Sequence, residues 1–323
     1  MTDKTKDLTR EPARHTEERF HNEADARAYL EAVRWPKGPV CPHCGGADRQ
    51  HRIEANPEKK VRPGLLACGH CRSQYTVTVG TVFEDSKIPL HKWVYANHLI
   101  CSSKKGISSK QLERVLGVTY KTAWFMSHRL RAGMKSEPTG QLGGGGKVVE
   151  ADETYWGRRR GRKVQRGMDH KQKIFSLVER GGKVRSFHVP NVTGENLKPI
   201  MRVHVDRDSA IHTDEFGAYS GLRKEFAAHE TVTHGNEEYV RYAGKTVITT
   251  NTIEGFFSIL KRGLTGIYQC VSEQHLQRYV DEFDFRYNNR QSLGVNDHER
   301  AEAVLKQIHG KRLTYRRTDA QAH

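Results

Sequence analysis

Apolar residues in the first part of the chain recur mostly at helical spacing. Their pattern predicts one helix over residues 23–34, which Trp35-Pro36 would end. Two more helices are predicted over 109–116 and 120–131, with Gly117 at the turn between them. This succession of two short helices and a tight turn is typical of a helix-turn-helix.

The pattern changes to short strands mixed with helices beyond four consecutive glycines, residues 143–146. One apolar strand closes at Asp152, a hairpin is predicted over 173–189, a helix over 194–203, and a further strand runs into Asp214. Mixed strands followed by helices indicate an α/β (α+β) domain with a central mixed sheet flanked by helices.

Charge narrows the class of partner. The 323 residues carry a formal net charge of +16, which favours a polyanion, with an anionic membrane surface as the competing partner. No apolar run approaches the roughly 18 residues of a membrane span. Residues 1–14 are charged and contain no hydrophobic segment of a secretory signal. We therefore expect a cytoplasmic protein that associates with a polyanion and not with a membrane.

Four of the six cysteines form two C-x2-C pairs, Cys41 with Cys44 and Cys68 with Cys71. Thiols stay reduced in the cytoplasm, and two such pairs supply the four sulfur ligands of a tetrahedral Zn²⁺ site. Four protein ligands leave no open coordination position, so the predicted zinc is structural. Residues 74–83 alternate like a strand, which predicts a β-rich zinc ribbon.

The second helix of the predicted helix-turn-helix would offer Tyr120, Lys121, Thr122 and Ser127 to a major groove of DNA. The alternative is a plain helical hairpin that links two domains. DNA binding is favoured because basic residues cluster in this region: Lys104, Lys105, Lys110, Arg114, Lys121, Arg129 and Arg131.

Three acidic residues are candidates for a second metal site. Asp152 and Asp214 each close a buried strand, where a carboxylate is costly unless a cation or solvent meets it. Glu254 and Lys261 lie seven residues apart in a predicted helix and share one face of it. The alternative role for Glu254 is a capping box in which Asn251 caps the helix. Together the three carboxylates indicate a divalent-metal site.

The order strand aspartate, strand aspartate, helix glutamate, with a basic residue seven positions later, resembles the DDE signature of transposases with a ribonuclease H-like catalytic domain. The similarity extends from about residue 20 to 292 and is closest to the ISXO2-like insertion-sequence transposases. Four segments carry it: Val149-Glu-Ala-Asp-Glu-Thr154, His212-Thr-Asp-Glu-Phe-Gly-Ala-Tyr219, Asn251-Thr-Ile-Glu-Gly-Phe-Phe-Ser258 and Arg286-Tyr-Asn-Asn-Arg290.

The resemblance implies a transposase that excises an insertion sequence at its terminal inverted repeats and joins it to target DNA, as a homodimer or higher oligomer on DNA. It also implies a prokaryotic protein associated with the nucleoid. It implies that Asp152, Asp214 and Glu254 bind two Mg²⁺ or Mn²⁺ ions about 3.5–4 Å apart. Members of this group vary at the third acidic position, so Asn251 is an alternate ligand. Lys261 would contact a phosphate near the metals, and Arg262 is a further DNA-binding candidate.

The loop that contains Arg158, Arg159 and Arg160 is too basic for a core, and it is either a solvated loop or a DNA phosphate contact. Two other functions stay open: a DNA-binding transcriptional regulator derived from a transposase, and a nuclease that cleaves without joining.

The predicted organisation is a tail and short helix over 1–36, a zinc ribbon over 37–84, a helix-turn-helix region over 85–138, a glycine linker over 139–146, a ribonuclease H-like DDE domain over 147–292, and a helix with a basic tail over 293–323.

Overall fold

The computed structural model describes residues 17–137, 139–159, 161–164, 166–233, 240–243 and 246–314. They form two compact units. One unit comprises the described residues up to Ser102 together with those from Asp297 onward, and the other is Ser103–Asn296.

The first unit combines helices with a small sheet. Helix α1 (Glu23–Arg34) begins after Asn22, whose side chain accepts a hydrogen bond from the backbone N–H of Ala24 at 2.7 Å, and it ends at the predicted position. Strands β1 (Gln50–Arg52), β2 (Leu66–Cys68) and β3 (Gln74–Tyr75) form an antiparallel sheet in the order β1-β2-β3. Helix α2 (Leu90–Ser102) packs against α8 (Asp297–Lys306), where the Asn97 amide donates to the backbone oxygen of Ala301 at 2.8 Å.

The strand predicted over residues 74–83 is wrong beyond Tyr75. Turns follow instead, and the Thr81 hydroxyl donates to the backbone oxygen of Thr78 at 2.6 Å and accepts from the backbone N–H of Phe83 at 3.0 Å. This side chain satisfies backbone groups that a neighbouring strand would otherwise pair. The apolar residues of this stretch are nevertheless buried: Val77, Val82 and Phe83 all lie in the core, although the segment forms turns and not a strand.

The second unit begins with the predicted pair of helices, α3 (Ser109–Leu116) and α4 (Tyr120–Met134). Each has a side-chain cap, since Ser108 accepts from the N–H of Gln111 and Thr119 accepts from the N–H of Thr122. Gly117 ends α3 with φ 58°, the left-handed conformation that glycine adopts without a Cβ penalty. The two predicted helices and the short turn between them are therefore present.

A five-stranded mixed sheet follows, in the order β6-β5-β4-β7-β8. Its strands are β4 (Val148–Trp156), β5 (Gln172–Glu179), β6 (Val184–Val189), β7 (Ala210–Asp214) and β8 (Ala228–Val232). Strand β4 pairs antiparallel with β5 and parallel with β7, and β7 pairs parallel with β8. Helices flank the sheet, which confirms the predicted fold class: α5 (Gly194–His204), α6 (Asn251–Gly263) and α7 (Glu273–Asn288). A hairpin, β9 (Val240–Ala243) and β10 (Thr246–Thr249), precedes α6.

Hydrophobic cores lie on both faces of this sheet. Val149 and Ala151 of β4 pack in one core with Leu197 of α5. Ile174 of β5 packs in the other core with Ile253 of α6. The sheet is therefore covered by apolar side chains on both faces.

Strand β4 does not close at Asp152 as predicted. It continues to Trp156 because β5 pairs with it along that whole length, up to Trp156 opposite Gln172. Asp152 therefore lies in the middle of a strand. The neighbour that ends early is β7, whose pairing with β4 stops at Glu150 opposite His212.

The glycine run at 143–146 does not have the character of a free linker. The N–H of Gly143 donates to Glu179 at 2.9 Å, and the N–H of Gly144 donates to the Ser209 hydroxyl at 2.8 Å. These contacts fasten the run to the unit that contains the sheet, and helices α3 and α4 belong to that same unit. The division of the chain lies instead between residues 102 and 103 and between 296 and 297.

A buried ionic cluster fastens α4 to α7. Glu282 accepts hydrogen bonds from Arg131 Nε at 2.5 Å, from Arg286 Nη2 and from the Tyr268 hydroxyl. The Arg131 guanidinium also lies over the ring of Tyr279, 4.0 Å from its centroid. Arg131 is therefore a core residue and does not contribute to a basic DNA-facing cluster.

Over the parts of the chain described above, we find no helix that is both long and apolar enough to cross a membrane.

Candidate functional site

The four paired cysteines come together in the first unit. The Sγ atoms of Cys41 and Cys71 are 3.6 Å apart, as are those of Cys44 and Cys68, and all four lie within 4.8 Å of one another. Tetrahedral Zn–S bonds of about 2.3 Å place sulfurs roughly 3.8 Å apart, so the set fits Zn²⁺.

Each cysteine pair lies in a tight turn that repeats the same backbone pattern. The N–H of Cys41 donates to Gly46 and the N–H of Cys68 donates to Ser73, so the two turns enclose the sulfurs in the same way. Backbone N–H groups of Cys71 and His70, with Gln50, lower the pKa of the Cys68 thiol to about 6, which favours the thiolate that binds metal. The His70 ring contacts Asp48 at 2.8 Å, outside the sulfur set.

A compact acidic cluster lies at the edge of the sheet where β4 and β7 diverge. Oxygens of Asp152, Glu153 and Asp214 all lie within 4.8 Å of one another. Asp152 is two residues beyond Glu150, and Asp214 is two residues beyond its partner His212. Both aspartates therefore extend the same register on the same face of neighbouring parallel strands. This arrangement explains why two carboxylates that are distant in sequence converge.

Glu153 was missed by the sequence reasoning. It faces the opposite side of β4 from Asp152, where its carboxylate accepts a hydrogen bond from the buried Tyr219 hydroxyl at 2.7 Å. Its position directly after Asp152, in the acidic segment Glu150-Ala-Asp-Glu153, could have identified it as a candidate. Strict strand alternation argued against it, but a long glutamate side chain at the diverging edge reaches the same cluster.

Electrostatics in the cluster favour binding of a cation. Burial, the Glu153 carboxylate and the Asp214 carboxylate raise the pKa of Asp152 to about 8. Burial also raises the pKa of Glu153, with a further contribution from Asp214. Carboxylates held this close cannot all ionise cheaply without a cation. Their oxygen ligands suit a hard divalent ion such as Mg²⁺ or Mn²⁺.

Helix α6 is fastened beside the cluster by a buried carboxylate. Glu150 accepts hydrogen bonds from the backbone N–H of Ile253 at 2.9 Å and from the Thr252 hydroxyl at 2.8 Å, and it also pairs with Arg180 at 2.8 Å. This anion lies at the positive N-terminus of α6. Since Glu150 is two residues before Asp152 on the same strand, it positions the start of α6 relative to the acidic cluster.

The structure places Glu254 on the exposed side of the first turn of α6, outside the three-carboxylate cluster. Its Oε1 accepts from the Thr250 hydroxyl at 2.9 Å, and its charge still contributes to the raised pKa of Asp152. Asn251 is the first helical residue and Thr250 is the N-cap, so the capping box with Asn251 as the cap is wrong. Lys261 lies in the last turn of the same helix.

The residues predicted to contact DNA differ in exposure. Tyr120 and Lys121 are exposed at the start of α4, and the Thr122 hydroxyl is 2.9 Å from that of Thr119. Ser127 is wholly buried: its hydroxyl donates to the backbone oxygen of Trp124 and accepts from Arg131 Nη1. Its proposed groove contact is therefore wrong, because this face of α4 packs inward.

The remaining basic candidates lie at two other places. Arg158 is exposed, whereas Arg159 is half-buried and 3.5 Å from Glu273. Arg160 lies outside the described residues. Arg262 is exposed on α6, where its Nη2 donates to the Ser258 hydroxyl at 2.6 Å.

Comparisons with known proteins agree with this arrangement. The family model of the ISXO2-like transposase domain matches residues 141–288, and that of the transposase zinc-ribbon domain matches residues 21–74. An uncharacterized protein in transposable element ISH50 of Halobacterium salinarum is 28% identical over 284 residues, which cover 83% of this chain and 91% of that protein. A transposase-like protein of Haemophilus influenzae is 30% identical over 112 residues, which cover 33% of this chain and 82% of that protein.

Among solved structures, the intasome of simian T-cell lymphotropic virus in complex with PP2A regulatory subunit B56 gamma contains a similar chain. The similarity has a TM-score of 0.27 and 16% identity, and it covers 55% of this chain and 63% of that chain. It adds nothing to the assignment, which depends on the matches to both domains and on the relatives. The chain belongs to the family of ISXO2-like transposases.

Proposed function

We propose that this protein binds the terminal repeats of an insertion sequence and catalyses metal-dependent cleavage and strand transfer of DNA. The observation that carries the proposal is the convergence of Asp152 and Asp214 at adjacent strands, beside a helix that carries Glu254 and Lys261. Joining two ends calls for more than one copy of the chain, so we expect a dimer or higher oligomer on DNA.

Asp152 and Asp214 would hold the divalent ions, with Glu254 as the third ligand. Bound Mg²⁺ or Mn²⁺ would activate the attacking water or 3′-hydroxyl and stabilise the leaving oxygen. Tyr219 fixes the carboxylate of Glu153 by its hydrogen bond and so holds additional negative charge at the cluster. Lys261 would contact a phosphate of the DNA from the exposed side of α6.

DNA would be held by exposed residues of the second unit. Tyr120, Lys121 and Thr122 at the start of α4 are the candidates for groove contacts, and Arg158 and Arg262 are candidates for phosphate contacts. Zinc bound by the four cysteines would serve folding of the ribbon. Each phosphate contact should contribute about −0.9 to the slope of log K against log salt.

A cleavage and strand-transfer assay with Mg²⁺ on DNA that carries the element's ends tests the function. Wild-type protein should cleave and join. End binding without either reaction would indicate a regulator, and cleavage without joining would indicate a nuclease. Asp152→Asn and Asp214→Asn should lose both reactions while their end binding persists.

The same assay identifies the third ligand. We expect Glu254→Gln to abolish cleavage, because glutamine keeps the hydrogen bond from Thr250 but lacks the charge. Asn251→Ala and Glu153→Gln should retain cleavage within about tenfold, and Tyr219→Phe is the matched control for Glu153. Cleavage by Glu254→Gln within about threefold of wild type would contradict Glu254 as the third ligand. In that case, loss of cleavage in Asn251→Ala or in Glu153→Gln would assign the third ligand to Asn251 or to Glu153.

A further inference from the structure

An aromatic pocket lies in the second unit, apart from the acidic cluster. It has a volume of about 460 Å³, within the roughly 300–1,000 Å³ usual for small-ligand sites. Rings of Trp124, Trp156, His275 and Tyr279 line it, and Arg158 lies among its lining residues. The pocket thus combines residues of α4, β4 and α7, and the proposed function already assigns α4 to DNA binding and β4 to cleavage.

Aromatic rings pack against one another in its wall on the side of α4 and α7. The ring centroids of Trp124 and His128 are 4.2 Å apart, and His128 meets the ring of Tyr279 edge-on at 5.5 Å. The outer face of this wall is fixed by Arg131, which lies over Tyr279 and is itself held by Glu282. On the opposite side, Trp156 Nε1 donates to the Thr265 hydroxyl at 3.4 Å.

His128 gives the pocket an unusual polar backing. Its side chain is 1% exposed, and neither ring nitrogen has a hydrogen-bond partner among the described residues. Burial, with the charge of Arg131, lowers its pKa to about 2, so the ring is neutral at any physiological pH. A buried polar group without a partner is costly. The pocket therefore offers flat aromatic rings to a ligand, and the neutral ring of His128 packs behind Trp124.

The pocket is connected to the acidic cluster along a single strand. Trp156 follows Asp152 by four residues on β4, and the unbroken pairing with β5 keeps both side chains on the same face. Four residues of extended strand span about 13 Å. That length corresponds to about four base steps at 3.4 Å per step. A ligand in the pocket would therefore lie within a few nucleotides of a phosphate held at the carboxylates.

We propose that this pocket binds one unpaired nucleobase of the DNA, displaced from the duplex a few nucleotides from the cleaved phosphate. A base has two flat faces that stack on aromatic rings, and it has a polar edge for which Gln269 and Ser272 of the lining offer polar side chains. Arg158 at the mouth would meet the attached phosphate. The proposal deepens the proposed function, since that function brings the phosphate to Asp152 and Asp214.

The test measures binding in EDTA, so it does not depend on cleavage. The probes are a 20-base-pair duplex with a three-thymine overhang, the same duplex with an abasic overhang, and a blunt duplex. Wild-type full-length protein should bind the thymine overhang about 5- to 150-fold more tightly than the abasic one, the range expected for stacking of one base. Trp124→Ala and Trp156→Ala should reduce that ratio to within about twofold.

Two controls keep the ratio interpretable. Trp124→Phe retains a ring and should retain the preference, and Tyr242→Ala removes an exposed aromatic side chain of β9 outside the pocket and should behave as wild type. No preference for thymine over abasic overhangs in wild type would overturn the proposal. So would an unchanged preference in both tryptophan-to-alanine variants.

A second measurement needs no substitution. An overhang that carries 5-iodouracil should crosslink on irradiation to a peptide containing Trp124, Trp156, His275 or Tyr279. Crosslinks confined to other peptides would contradict the pocket even if the alanine variants fail to fold. Loss of strand transfer with the crosslink intact would instead count against the proposed function alone.

Discussion

Replacing Glu282 with glutamine should lower the free energy of unfolding by about 3–5 kcal/mol. Glu282 is fully buried and accepts hydrogen bonds from Arg131, Arg286 and Tyr268. Glutamine has nearly the same shape but no charge, so two guanidinium groups would stay in the core without a counter-ion. The cost arises mainly from those uncompensated cations and less from the lost hydrogen bonds.

The magnitude can be read from urea unfolding followed by circular dichroism. With a slope of about 2 kcal/mol per M, a loss of 3–5 kcal/mol moves the midpoint down by about 1.5–2.5 M. The matched control is Glu113→Gln, which removes the exposed ion pair with Lys110 and should change the free energy by less than about 1 kcal/mol. Adding Arg131→Met to Glu282→Gln removes one orphaned cation, so the two effects should not add.

The pH dependence gives a second readout. The charges of Arg286 and Arg131 lower the pKa of Glu282 against the opposing effect of burial. A carboxyl group with a lowered folded-state pKa stabilises the fold above its ordinary pKa of about 4.3, and that contribution is lost as the pH falls. The difference between wild type and Glu282→Gln should therefore narrow below about pH 4. A midpoint change under about 0.5 M at pH 7, or a difference that widens in acid, would refute the reasoning.

Two further predictions concern the zinc site and a buried carboxyl group. Cys44→Ser should bring zinc, measured by elemental analysis of freshly reduced protein, below about one ion per chain and destabilise the ribbon; a full zinc content would contradict the four-sulfur site. Burial raises the pKa of Asp284 to about 7, so wild type should lose stability as the pH rises from about 4 to about 7. Asp284→Asn keeps an acceptor for Ser186 and removes this ionisation. The urea midpoint of the variant relative to that of wild type should therefore be higher at pH 8 than at pH 5. An equal difference at both pH values would count against the raised pKa.

Local patterns predicted those features that depend on a few neighbouring residues. The end of α1 at Arg34, the turn at Gly117 and the cap at Thr119 each follow from the preferences of single residues at helix ends. The zinc ligands follow from the spacing within each cysteine pair. Asp214 was placed correctly because a short apolar strand ends there.

Two expectations failed because hydrogen bonds between distant residues override local preference. Residues 143–146 have the composition of a linker, but the side chains of Glu179 and Ser209 bind their N–H groups. Asp152 was expected to end a strand, but the pairing partner β5 extends β4 to Trp156. In both cases the deciding groups lie many residues away, where no pattern within a window of sequence reports them.

By itself, the sequence determined the pair of helices around Gly117, the mixed sheet, the cysteine set and the two aspartates, since each depends on local periodicity or short spacing. Only the tertiary structure decided which polar residues are functional neighbours. It brought Glu153 into the acidic cluster through the divergence of two strands, and it removed Arg131 from the DNA-facing surface by pairing it with Glu282, 151 positions away. The physical reason is that desolvation and charge pairing are set by whatever packs around a group, and an ionisable side chain has the same sequence signature on a surface and in a core.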